Sequence, residues 1–108
     1  DSTYGTGLSF WLNSFDADVH DNYVHDCAHG ANISGGLMLN LYRTKAWRNN
    51  VYNNTFTNCP EYGVWMISFY DANQHQYDNI FKDNKLTGAS FLHQNQVRFT
   101  NTGNTITP

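Results

Sequence analysis

Charged side chains make up only 14% of these 108 residues, and just six of them are basic. A protein that grips duplex nucleic acid concentrates positive charge on one face, and a net charge of −3 offers no such face. Apolar runs long enough to cross a membrane are missing, and the opening residues do not read as a signal peptide. Two cysteines in line are too few for a zinc centre. No amphipathic helix of useful length is visible either. What the chain does contain is Asn, Thr and Gly in abundance and 16% aromatics. That composition makes an all-β chain the expectation.

One phrase then recurs: apolar, x, Asp/Asn/Gly, Asn, x, apolar, x. It reads Val19-His20-Asp21-Asn22-Tyr23-Val24-His25, then Val51-Tyr52-Asn53-Asn54-Thr55-Phe56-Thr57, then Phe81-Lys82-Asp83-Asn84-Lys85-Leu86-Thr87. A fourth copy, Asn101-Thr102-Gly103-Asn104-Thr105-Ile106-Thr107, lacks the first apolar residue. Asn22, Asn54, Asn84 and Asn104 are spaced by 32, 30 and 20 residues, a period that belongs to stacked repeats. Each phrase alternates like two short strands, with a pivot of Asn, which tolerates the left-handed backbone of a sharp corner. In-register stacking predicts an asparagine ladder and shared core columns Val19/Val51/Phe81 and Val24/Phe56/Leu86, so that no repeat folds alone.

A second strand is expected ahead of each corner, opening at Gly7, Gly36 and Gly63. Alternation places Leu8, Leu37 and Val64 inward, with Phe10, Leu39 and Met66, and points Ser9, Met38 and Trp65 outward.

This grammar resembles the right-handed parallel β-helix of the pectin-lyase-like superfamily, the fold of pectate lyases, polygalacturonases and phage tailspikes, whose coils often carry an Asn ladder. The resemblance covers nearly the whole chain. It implies a single β-helical segment, residues 1–108, of about three to four coils. No capping helix or polar lid is read at either end, so the expected partners are the remainder of a longer β-helix or further copies of this chain.

Cys27 and Cys59 occupy one repeat position, followed by Ala89 in the third copy. Equivalent side chains on adjacent coils run parallel, which is poor disulfide geometry, so a stack of small core residues is expected. Two glycosylation sequons, at Asn32 and Asn53, are what chance gives in an Asn- and Thr-rich chain.

The distance from leading Gly to ladder Asn grows from 15 to 18 to 21 residues, so extra residues should bulge from one edge around Asn13–Asp18, Tyr42–Arg48 and Tyr70–Tyr77. A second loop, Ala28 to Gly35, is expected on the other edge. Alternation puts Asp16, Asp18 and His20 on one face of a short strand. There two carboxylates can divide into acid and base, or bind a cation such as calcium; the same residues also read as a solvated face with capping aspartates. His20 has Tyr52 and Lys82 as repeat equivalents, and all three should project outward in a column. These groups can exchange protons with a sugar or abstract one beside a uronate carboxylate. Asp16, Asp18, His20 and Tyr52 are therefore the candidate catalytic residues.

The candidate substrate-binding residues are Trp11, Tyr42, Arg43, Lys45, Trp65 and His75. Arg and Lys can hold an anionic sugar, and aromatic faces can stack on pyranose rings. Arg43, Lys45 and Arg48 read equally as partners for the aspartates of a neighbouring coil. Arg43-Thr44-Lys45 resembles the Arg-x-Lys motif of polygalacturonases and His29-Gly30 part of their Gly-His-Gly. Their Asn-Thr-Asp and paired-Asp motifs are absent, so those catalytic roles are not carried over. The chain is also similar in style to the archaeal disaggregatases, which disperse cell-surface polysaccharide. The resemblance implies an extracellular or cell-surface protein that cleaves a uronic-acid-containing polysaccharide, by hydrolysis or β-elimination. The competing expectation is a non-catalytic adhesin or tailspike-like stretch.

Overall fold

The computed structural model describes residues 2–10, 14–33, 46–66, 76–94 and 96–108. The protein is all-β, with every strand pairing parallel. The strands are β1 (Ser2–Phe10), β2 (Ser14–Phe15), β3 (Asp18–His20), β4 (Tyr23–His25), β5 (Cys27–Ile33), β6 (Ala46–Trp47), β7 (Asn50–Tyr52) and β8 (Thr55–Met66). They continue with β9 (Gln76–Tyr77), β10 (Ile80–Lys82), β11 (Lys85–His93), β12 (Gln96–Val97), β13 (Thr100–Thr102) and β14 (Thr105–Thr107). Among the described residues these strands form three sheets. One runs β12-β9-β6-β2, the second β13-β10-β7-β3, and the third β1-β5-β8-β11-β14 with β4 also on β8. Each pass of the chain visits them in that order.

Between sheets the backbone turns on left-handed residues. Asp16, Arg48, Asp78 and Arg98 make one corner and Asp21, Asn53, Asp83 and Gly103 the next, while Asp26, Asn58 and Gly88 bend the chain within the third sheet. The Asp, Asn and Gly among them are the residues for which this conformation costs least. A left-handed Arg is unusual, and at Arg48 and Arg98 it is held by an ion pair described below.

The expected core columns form. Val19, Val51 and Phe81 share one register, as do Val24, Phe56 and Leu86. Val51, Phe56, Phe81 and Leu86 are fully buried. The asparagine ladder forms too. Asn54 donates from its backbone N and Nδ2 to Asn84 Oδ1 at 2.9 and 3.0 Å, while its own Oδ1 accepts from Asn22 at 3.1 and 3.0 Å. Asn84 repeats this onto Asn104 at 2.9 and 3.1 Å. The amide also reaches the backbone of the preceding pass, Asn54 to Val19 O and Asn84 to Val51 O, both at 3.0 Å. Burial is affordable for these amides because nearly every donor and acceptor is satisfied.

A second asparagine column lies at the preceding corner. Ala17 N donates to Asn49 Oδ1 at 3.2 Å and Asn49 N to Asn79 Oδ1 at 3.1 Å. Asn79 Nδ2 continues to Gln96 Oε1 at 3.1 Å and Ala46 O at 2.9 Å. Asn49, Gln76 and Asn79 are all fully buried. Cys27 and Cys59 are free, buried thiols, each bonding the carbonyl two residues back. Cys59 sits opposite Ala89, as the stack requires.

Four expectations change. Leu8 pairs with Ala31, and Ala31 with Val64, so the register runs through Ala31; Leu37 and Leu39 lie outside the described residues. Gly63 does not open a strand but sits left-handed within β8, where the register slips. Ala28–Ile33 is no loop, because pairing with β1 and β8 on both sides outweighs its small-residue composition. The described parts of the expected bulges, Ser14–Asp18, Ala46–Arg48 and Gln76–Tyr77, form corners and a sheet of two-residue strands, too short to leave a period in the sequence.

Candidate functional site

The outer face of the sheet β13-β10-β7-β3 carries the column expected from the repeat. His20 pairs with Tyr52, Tyr52 with Lys82, and Lys82 with Thr102. Because Val19 and Val51 turn inward, alternation sends their neighbours out. The His20 and Tyr52 rings stack at 4.9 Å between centroids and 11° between planes. Asp21, held in its left-handed corner, places Oδ2 2.6 Å from His20 Nδ1. In the neutral imidazole a proton on Nδ1 donates to this carboxylate and leaves Nε2 as the acceptor nitrogen.

Asp18 lies two residues before His20 on the same exposed face, opposite Asn50. Asp16 does not join them. It precedes the strand in a left-handed corner with φ 57°, so alternation no longer governs its direction. Its carboxylate is taken by Arg48, with Nε at 2.6 Å from Oδ1 and the terminal nitrogen at 2.8 Å from Oδ2. The Arg48 hydrogen bond holds this carboxyl below the usual carboxylate range. Of the two readings of Arg48, pairing with the neighbouring repeat's aspartate is the one realised.

The same geometry recurs two passes on. Arg98 donates to Asp78 at 2.6 and 3.0 Å, lowering the Asp78 pKa. The corner is thus a column of alternating sign: Asp16, Arg48, Asp78, Arg98. Each member stands six residues before a ladder asparagine (16 to 22, 48 to 54, 78 to 84, 98 to 104). That spacing was the signal available in the sequence for Asp78 and Arg98. Beside the column, Phe15, Trp47 and Tyr77 share a register on their short strands. Phe15 and Trp47 rings approach to 5.8 Å, and the Arg98 guanidinium lies 5.5 Å over Tyr77.

A second His–Asp pair sits on β4 and its corner. His25 Nδ1 is 2.9 Å from Asp26 Oδ2, Asn58 Nδ2 donates to Asp26 Oδ1 at 2.6 Å, and Tyr23 stacks on His25 at 4.8 Å. His25 first and Asn58 second pull the Asp26 pKa down.

Trp65 is half-buried on β8, in the third sheet, between buried Val64 and Met66. Its strand belongs to a different sheet from the His20 column. Trp11, Tyr42, Arg43, Lys45 and His75 lie outside the described residues. Among the described residues no three His, Cys, Asp or Glu side chains group to hold a metal ion, and no helix is long and apolar enough to cross a membrane. Comparison with protein-family models, curated proteins and solved structures gives no match to this chain.

Proposed function

We propose that the three sheets are the faces of a right-handed parallel β-helix that acts on an extracellular, uronic-acid-containing polysaccharide by β-elimination. The observation that carries this reading is the orientation of His20: Asp21 occupies Nδ1, and Nε2 is left beside the stacked Tyr52 ring. In the reaction Nε2 of His20 takes the proton beside the uronate carboxylate. The electron pair forms the new double bond and expels the glycosidic oxygen, which receives a proton from the Tyr52 hydroxyl. Imidazole suits such an exchange near neutral pH. Lys82, next in the column, presents its ammonium to the carboxylate, the role the sequence also offers to Arg43 and Lys45.

Elimination is preferred to hydrolysis because of Asp16. A glycoside hydrolase needs one carboxyl protonated as general acid. Asp16, clamped by Arg48 with its pKa lowered, is unsuited to that part and leaves Asp18 without a partner acid.

The test is incubation of the protein with a panel of acidic glycans, following absorbance of unsaturated uronate and, separately, reducing ends. His20→Ala and Tyr52→Phe should each reduce turnover by about a hundredfold or more with folding intact. Reducing ends without the unsaturated product would mean hydrolysis instead. Undiminished turnover in both variants would remove the His20 column from the chemistry.

One observation favours the second reading, a non-catalytic scaffold of an adhesin or tailspike. The His25–Asp26 pair repeats the His20–Asp21 contact at the following corner, as expected if His–Asp pairs merely brace corners. Absence of any product across the panel would support it.

A further inference from the structure

Cys27 and Cys59 take no part in the chemistry of the His20 column, and both are free thiols in the core cluster under the third sheet. His25 pairs with Thr57 and Asn58 donates to Asp26, so the next inward residues, Cys27 and Cys59, stand side by side on adjacent strands. Further strands flank them on both sides, Ser2 pairing with Cys27 and Ala89 with Cys59. Each Sγ donates to the carbonyl two residues back, Cys27 to His25 O at 3.4 Å and Cys59 to Thr57 O at 3.6 Å. The shared local contact gives both side chains one direction, so the sulfurs stand one strand spacing apart, ~4.8 Å.

That separation selects among the partners a thiol pair can take. A disulfide draws its Cβ atoms to about 3.8 Å, closer than parallel neighbours come. Tetrahedral zinc needs four ligands, and among the described residues no third His, Cys, Asp or Glu joins this pair. A metal–thiolate bond is about 2.3 Å long, so two in line span about 4.6 Å. Thiolate sulfur selects soft cations such as Cu(I), whose filled d shell accepts linear coordination by two ligands. Cys59 is fully buried and Cys27 only 6% exposed, which gives an ion a way in and keeps water from adding ligands. Burial holds Cys59 as the thiol until a metal displaces its proton.

We propose that Cys27 and Cys59 form a two-coordinate site for a soft monovalent cation of the Cu(I) class. On binding, two S–H bonds give way to two S–Cu bonds, both protons leave to solvent, and copper keeps its oxidation state. The site lies in the third sheet and does not depend on the reading of His20.

The experiment is an anaerobic titration of the reduced, metal-free chain with Cu(I) against a chromophoric Cu(I) chelator. The chain should take one ion per molecule from the chelator, and X-ray absorption at the copper edge should show two sulfur neighbours and no nitrogen or oxygen. Cys27→Ala and Cys59→Ala, each placing in the column the side chain that Ala89 already supplies, should lose that uptake with an unchanged far-UV spectrum. In urea, where 32 residues of free chain separate the thiols (27 to 59), the copper should pass back to a lower concentration of chelator, because the fold no longer sets the spacing. Failure to take copper from the chelator, one ion shared by two chains, or any other ligand set at the edge overturns the proposal. So does undiminished uptake by either single variant, or equal retention in urea.

Discussion

Arg48 holds Asp16 through two parallel hydrogen bonds, at 2.6 and 2.8 Å, although 32 residues separate them in the chain. Both residues are more than half exposed and both sit at equivalent or adjoining corners of neighbouring passes. The pair fixes one pass against the next, and the Asp78–Arg98 pair does the same two passes later.

Acid should loosen this arrangement. Asp16, Asp26 and Asp78 all have depressed pKa values in the folded chain, caused first by Arg48, His25 and Arg98 respectively. A depressed carboxylate stabilises the fold above its unfolded pKa, and that contribution is lost as pH falls through the folded one. Denaturation midpoints should therefore be level down to about pH 5 and decline below about pH 4. In a variant carrying Asp16→Asn and Asp78→Asn, urea titrations across this range should show a shallower decline. An unaltered profile would assign the acid sensitivity to other groups.

Replacing Asn54 by Leu should cost roughly 1–3 kcal/mol, since the part-buried donors of Asn22, the Val19 carbonyl and the buried Asn84 Oδ1 each lose a partner. Asn104→Leu should cost less, because Asn104 is only half-buried and water can replace its amide. Equal midpoints for the two variants in chemical denaturation would contradict the ladder's energetic role.

Gly63 and Gly88 are both left-handed, with φ of 54° and 63°, but their surroundings differ. A Cβ at Gly63 would lie 2.5 Å from the Ser90 carbonyl oxygen and 2.7 Å from Ala89 Cβ. At Gly88 the nearest atom is 3.5 Å away. Gly88→Ala should therefore cost only the left-handed backbone term, about 1–2 kcal/mol. Gly63→Ala should cost distinctly more, because the neighbouring strand has to move. Thermal unfolding of the two variants provides the comparison.

Burial pushes the Cys59 thiol up, away from the reactive thiolate. Cys59 is fully buried, whereas Cys27 retains 6% exposure. At neutral pH a thiol reagent should modify Cys27 first and Cys59 at a rate limited by opening of the fold. Denaturant should make both react together. Rapid labelling of Cys59 in the native protein would show that the third sheet is not closed over it.

The sequence disclosed those features that repeat over several residues. The ladder from Asn22 to Asn104, the columns through Val51 and Phe56, and the outward row of His20, Tyr52 and Lys82 each recur in a phrase long enough to align. What escaped notice was built from very short pieces. The strands β2, β6, β9 and β12 have two residues apiece, so no alternation can develop in them. Asn49 and Asn79 form a column flanked by Ala17 and Phe99 at the equivalent positions, and two matching residues do not stand out in an Asn-rich chain. Alternation carried back through Ala17 groups Asp16 with Asp18 and His20, but Asp16 is itself left-handed and that resets the direction.

The alternating corner column also constrains how such a chain can change length. Loss of the single pass that carries Arg48 would set Asp16 against Asp78, acid on acid. Loss of two, removing Arg48 and Asp78 together, would set Asp16 against Arg98 and restore a compatible pair. Insertions obey the same parity. Charge compatibility at this corner therefore favours changes of length by two passes at a time, although the backbone pattern repeats with every one.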